Sequence, residues 1–190
     1  MGKSASGKDH IYARLAAHEE LGLKKLVLYT TRPIRAEEED GKQYYFVDDK
    51  KLKEFQEKGC VIEARAYHTV HGIWTYFTAD DGQVNLDASD YLGIGTLESY
   101  VKMREYYGEE ALCPIYIEVE DGTRLIRAVE REQTQEHPGY EELCRRFLAD
   151  AKDFSEENLK NAGITRRFEN KDMNACLEEI KLFIQKAILI

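Results

Sequence analysis

Apolar and polar positions along the chain alternate between two periods. Residues 9–21 carry Ile11, Leu15 and Leu21 ahead of Gly22, and residues 48–58 carry Leu52 and Phe55 ahead of Gly59; both spacings predict short helices ended by a glycine. Between them, Leu23-Lys24-Lys25-Leu26-Val27-Leu28-Tyr29 reads as a strand, and residues 60–67 alternate so that Glu63, Arg65 and Tyr67 share one strand face. Residues 80–90 are polar and turn-rich. Further strands are expected over 90–95, 113–119 and, weakly, 166–170, and helices over 96–107, from Asp121 and over 140–159. The helix opened by Asp121 has Leu125, Ile126 and Val129 on one side and Arg124, Arg127 and Arg131 on the other, and residues 132–139 interrupt it. A closing helix over 173–189 carries Cys176, Leu177, Ile180, Phe183, Ile184 and Ala187 as its buried stripe. Strands alternating with helices predict an α/β fold with a mainly parallel sheet, and no internal repeat is present.

The first residues add candidate chemistry. Gly2-Lys3-Ser4-Ala5-Ser6-Gly7-Lys8 matches G-x-x-x-x-G-K, in which small residues let backbone N–H groups close around a phosphate while a lysine reaches its outer oxygens. The following helix aims its positive end at the same anion. Asp9 stands where the motif has Ser or Thr, so a carboxylate takes the place of the hydroxyl that would ligate Mg²⁺. Such a loop normally follows a buried strand, and here the first strand is missing. An apolar run of about five residues is expected in the coding DNA just upstream, on the strand lengths usual for such sheets. On this motif alone, a flexible tail is the alternative.

Pro33 rules out a helix or central strand through Thr30-Thr31-Arg32-Pro33-Ile34-Arg35, so two arginines sit on an irregular loop after a strand. Planar guanidinium forks suit phosphate there, although one arginine alone would read as ordinary surface charge. Composition narrows the partner. The chain has 190 residues and a net charge of −9, which argues against a nucleic acid and leaves a small anionic ligand held by local arginines. No apolar run approaches the 18 or so residues of a membrane span, and the start lacks a signal-peptide core, so the expected address is the cytoplasm. Cys60, Cys113, Cys144 and Cys176 are scattered and read as reduced packing residues; His68 and His71 read as surface or turn residues.

The stretch TTRPIRAEEEDGKQYYFV resembles the TTR-x-x-R-x-x-E-x-x-G-x-x-Y-x-F signature of guanylate kinases, with the glycine-rich loop some 25 residues upstream as in that family. The resemblance covers nearly the whole chain. It implies a three-layer P-loop core over 1–30, 91–126 and 141–190, an inserted nucleoside monophosphate (NMP) lobe over 31–90, and a helical lid over 127–140. It implies ATP and Mg²⁺ as cofactors, nucleotides as partners, and phosphorylation of an NMP, GMP first. Residues 2–9 would bind ATP, with Asp9 as a metal ligand and Asn170 near the adenine. Arg32, Arg35 and Tyr44 would hold the acceptor phosphate, with Glu38 orienting the arginines. Glu63 would accept hydrogen bonds from guanine, Tyr76 would reach the phosphate and Thr78 the base. Lys8, Arg35, Arg127, Arg131 and Arg146 would be the catalytic set. Gly93 and Gly95 replace two carboxylates of the family pattern, leaving Glu98, Asp9 or Asp81 as other sources of one. Two alternatives stay open: a non-catalytic binding module of the same fold, and a kinase for another nucleotide.

Overall fold

The structure, a computed structural model, describes residues 1–69 and 72–188, so His71 and Leu189 fall outside the described residues. In chain order the elements are α1 (Lys8–Ala16), β1 (Lys24–Lys25), β2 (Leu28–Thr30), β3 (Tyr44–Phe46), α2 (Asp49–Glu57), β4 (Val61–Thr69), β5 (Gly72–Ala79), β6 (Tyr91–Leu92), α3 (Leu97–Tyr107), β7 (Tyr116–Glu118), α4 (Asp121–Gln133), α5 (Tyr140–Asp153), α6 (Glu156–Asn161), β8 (Arg167–Glu169) and α7 (Met173–Ile188), with a 3₁₀ turn at Glu19–Leu21. The fold is mixed α/β with mostly parallel sheets. It divides into two compact units, one of residues 1–22, 94–101 and 113–190, the other of residues 23–93 and 102–112.

In the first unit β7 and β8 pair in parallel. Met1 lies alongside β7, its ammonium donating to the Ile115 carbonyl at 2.8 Å and its carbonyl accepting from Ile117 N–H at 2.9 Å, the bonding of a parallel pair. Leu97, Tyr116, Phe154, Leu159, Ala162 and Ile164 form the core, with the Tyr116 and Phe154 rings stacked at 5.6 Å. On α7 the buried stripe is Cys176, Ile180 and Ile184, four residues apart, whereas Ala187 is exposed.

Two expectations for this unit are corrected, the single helix over 140–159 and the cap of α4. The helix expected over 140–159 is two helices, because Ser155 takes an extended backbone and accepts the Asn158 N–H, capping α6. On α4 Leu125 and Ile126 face outward, 38% and 61% exposed, while Arg124 is 1% exposed and Ala128 is buried beside it. The cap is Glu120 rather than Asp121, its carboxylate accepting from Gly122 and Thr123 N–H.

The second unit holds a four-stranded sheet in the order β3-β2-β5-β4, with β2 and β3 parallel and the other pairs antiparallel. The strand expected over 23–29 is split into β1 and β2, because Val27 N–H turns aside to the Gln83 side chain at 3.0 Å. β1 pairs in parallel with β6. Tyr29, Leu52, Phe77 and Ala79 make the core under the sheet, packed by Tyr45, Val47, Phe55 and Val61. Burial, then the hydrogen bond to Asp81, raises the Tyr29 phenol well above its ordinary value, so Asp81 is committed to this contact. Among the described residues no helix is long and apolar enough to cross a membrane.

Candidate active site

The glycine-rich loop over residues 2–8 opens the first unit. Gly7 takes a left-handed backbone, φ 82°, and caps α1; a Cβ there would meet Asn170 Nδ2 at 2.5 Å. A Cβ on Gly2 would lie 2.7 Å from the Ile117 carbonyl oxygen, so that position needs a glycine too. Ala5 also holds a left-handed backbone, φ 60°, a strain of roughly 1–2 kcal/mol for a residue with a Cβ. Strain of this kind is maintained where a loop has a task. Ser6 N–H turns back to Lys3 O, whereas among the described residues the N–H groups of Ala5, Gly7, Lys8 and Asp9 make no hydrogen bond. These amides, at the positive end of a helix, form an anion cradle. Lys8 Nζ donates to Asp9 Oδ2 at 3.1 Å, and the Asp9 side chain is 75% exposed.

Side chains from distant elements hold this loop. Asn170, buried beside it, donates Nδ2 to the Ser6 carbonyl at 2.8 Å, so its amide is spent on the loop's shape. Arg127 Nη2 donates to the Asn170 carbonyl at 3.3 Å. Arg124 donates to the Ser4 carbonyl at 2.9 Å and lies 4.7 Å from the Phe147 ring centre, while the Asp150 carboxylate accepts Ser4 N–H at 2.7 Å. Asp121 accepts from both Arg124 and Lys3; burial pushes its carboxyl up, but these two cations outweigh it and hold it below its ordinary value. Ser4, Arg124, Arg131, Arg146 and Phe147, with Ala128 and Leu143, line a small hollow beside the loop. Of the arginines expected to serve catalysis, Arg131 and Arg146 thus meet at this hollow and Arg127 reaches Asn170 instead. Arg124 and Asp150 were not expected in the site. Arg124 continues the series of Arg127 and Arg131 at helical spacing, a usable signal, while nothing in the sequence marks Asp150.

The second cluster is built on the four-stranded sheet. Arg32 follows β2 and is 3% exposed. Its guanidinium meets Glu38 fork to fork, Nη1 and Nη2 donating at 2.9 and 2.8 Å; Nε donates to Tyr76 Oη at 3.1 Å and Nη1 also to the Pro33 carbonyl at 2.8 Å. This leaves one N–H, on Nη2, for a ligand. The hydrogen bond from Arg32 holds the Glu38 carboxyl below its ordinary range. Glu38 also accepts the backbone N–H of Arg35 at 2.9 Å, while the Arg35 side chain is exposed. The Tyr44 and Tyr76 rings meet edge to face, centroids 5.5 Å apart. Two residues along β5, buried Thr78 donates its hydroxyl to Glu63 at 2.9 Å. The expected acceptor residues therefore share one sheet region, with Arg35 at its open side.

Asp9 offers one carboxylate, and among the described residues no group of three or more His, Cys, Asp and Glu could hold a metal ion. That donor set fits Mg²⁺ only as a companion of nucleotide phosphates, which supply its remaining ligands along with water.

The guanylate kinase family model matches residues 1–76. The guanylate kinase of Porphyromonas gingivalis (strain ATCC BAA-308 / W83) is 26% identical over 191 residues, 97% of this chain and 94% of that protein. The guanylate kinase of Nitrosomonas europaea is 34% identical over 65 residues, 34% of this chain and 32% of that protein. In fold, the chain is similar to the crystal structure of guanylate kinase from Anaplasma phagocytophilum, with a TM-score of 0.62 at 23% identity, covering 97% of this chain and 82% of that one. Over residues 1–76 the chain is thus similar in sequence to guanylate kinases, and over nearly its whole length it shares their fold.

Proposed function

We propose that the chain transfers the terminal phosphoryl group of ATP to a nucleoside monophosphate, GMP first. The observation that carries this reading is that one chain builds two anion grips of different chemistry: unpaired loop amides with Lys8, and Arg32 locked by Glu38 and Tyr76. In this reading residues 2–9 hold the donor phosphates, and Lys8 exchanges the Asp9 carboxylate for a phosphate oxygen when ATP enters. Asp9 would hold Mg²⁺, which when bound would supply neutralisation of phosphate charge. Arg32, Arg35, Tyr44 and Tyr76 hold the acceptor phosphate, and Glu63 and Thr78 face the base. Arg127, Arg131 and Arg146 offset the charge that develops on the transferred group, and residues 127–140 act as the lid that brings them in without water. Asn170 serves by shaping the loop. An acceptor phosphate oxygen is already a nucleophile, so positioning is the main task and no covalent enzyme intermediate is required.

Coupled measurement of ADP release with ATP, Mg²⁺ and each of GMP, AMP, CMP and UMP tests this. Turnover is expected with GMP in the lead, and Lys8→Ala is expected to lower kcat at least about a hundredfold, the scale of losing one charge-stabilising donor. Absence of turnover with every acceptor, alongside tight binding of a phosphopeptide, would make the chain a binding module instead.

A further inference from the structure

The base end of the acceptor face carries a residue that the reading above does not use. β4 and β5 pair so that Glu63 lies opposite Thr78 and Arg65 opposite Tyr76, and the period of two puts Glu63 and Arg65 on one face. Arg65 folds back onto its neighbour: Nε donates to Glu63 Oε2 at 2.9 Å and Nη2 to Oε1 at 3.4 Å. The Thr78 hydroxyl already donates to the same Oε1 at 2.9 Å. The Glu63 side chain is 1% exposed and that of Arg65 13%, so water does not compete strongly for either.

A carboxylate has two oxygens with about four acceptor sites. It reads guanine because N1–H and the exocyclic amine are adjacent donors, and a bidentate match needs one free site on each oxygen. Here the threonine and the guanidinium take three of the four, and the charge that would attract those donors is offset at contact distance. Guanine therefore meets an acceptor pair that is largely satisfied and gains little over a base without paired donors.

We infer that Arg65 is a specificity-determining residue: by satisfying Glu63 it reduces the margin by which the acceptor site prefers guanine over other nucleobases. The inference rests on the acceptor reading proposed above and names what sets its selectivity.

The test compares kcat/KM for GMP, AMP, CMP and UMP in the full chain and in Arg65→Ala. The ratio of GMP to each other acceptor is expected to rise about tenfold in the variant, the scale of one regained bidentate contact to a base. Because Arg65→Ala strips the buried Glu63 of its counter-charge, Arg65→Lys is measured beside it. Lysine keeps the charge but gives up the planar fork, so the ratio is expected to rise there by a smaller factor. GMP is also expected to raise the Tm of Arg65→Ala more than AMP does, a difference that a purely structural role for Arg65 would not create. Ratios that stay level or fall in both variants, while the wild type turns over, overturn this inference alone. A wild type that phosphorylates none of the four acceptors overturns the acceptor reading and the inference with it.

Discussion

The Asp150 carboxylate accepts the backbone N–H of Ser4 at 2.7 Å, joining residues 146 positions apart and tying α5 to the glycine-rich loop. Arg124 holds the carbonyl of the same serine and lies 3.6 Å from the same carboxylate, so Ser4 is gripped on both of its backbone polar groups. Asp150→Asn keeps the shape and removes the charge. Losing a charge-assisted hydrogen bond of this kind is expected to raise KM for ATP roughly tenfold while leaving KM for the acceptor unchanged. Initial-rate kinetics with each substrate varied in turn measures this, and an equal change in both constants would count against a role confined to the loop.

Arg32 holds Glu38 below its ordinary carboxyl value of 4.5, and this pair makes the cluster around Arg32 acid-sensitive. A carboxyl whose folded-state pKa is depressed binds more protons when unfolded, so its stabilisation is complete above about 4.5 and is lost as pH falls through the lowered value. Urea unfolding between pH 3 and 6 is expected to show that loss. Glu38→Gln flattens the acid dependence and weakens acceptor binding, since Arg32 loses its charged partner. A variant with the wild-type pH profile would show that the pair contributes nothing.

Ser6 is 1% exposed and its hydroxyl is among the buried groups without a hydrogen-bond partner. An orphaned buried hydroxyl costs about 1–3 kcal/mol. Ser6→Ala is therefore expected to stabilise the chain by about 1 kcal/mol, read from denaturant midpoints, with KM for ATP unchanged because the loop is held through the Ser6 carbonyl rather than its side chain. Destabilisation would mean that the hydroxyl is satisfied in solution.

The cysteines report on the fold. Cys113 and Cys144 are exposed, and Cys176 is buried on α7. Burial pushes the Cys176 thiol up to about 11, and burial also raises that of Cys113. Iodoacetamide at pH 8 is expected to modify Cys144 first and Cys176 only after unfolding, as followed by peptide mass spectrometry. Early labelling of Cys176 would place α7 wrongly.

Much of the site was legible because its chemistry is local. Spacing alone located the glycine-rich loop, since Gly2 and Gly7 are required by close backbone approach and a left-handed φ. Pro33 marked the loop that carries Arg32, and alternation put Glu63 beside Arg65. On α4 the same reasoning separated the two faces without saying which was buried. The inner residue is Arg124, whose charge is met by Asp121, Asp150, the Ser4 carbonyl and the Phe147 ring. Four partners together offset a desolvation cost that no single neighbour in sequence would cover.

By itself, then, the sequence determined the alternation of strands and helices, the glycine-rich loop with the glycines it needs and the loop that carries Arg32, because those depend on backbone conformation and on residues a few positions apart. Only the tertiary structure decided that Arg124 faces inward, that Asp150 and Asn170 support the loop from more than 140 positions away, and that Arg65 rather than solvent satisfies Glu63. The reason is physical: whether a charge is buried, and with whom, is set by which partners the chain brings within hydrogen-bond reach, and that depends on contacts between segments rather than on the pattern within any one of them.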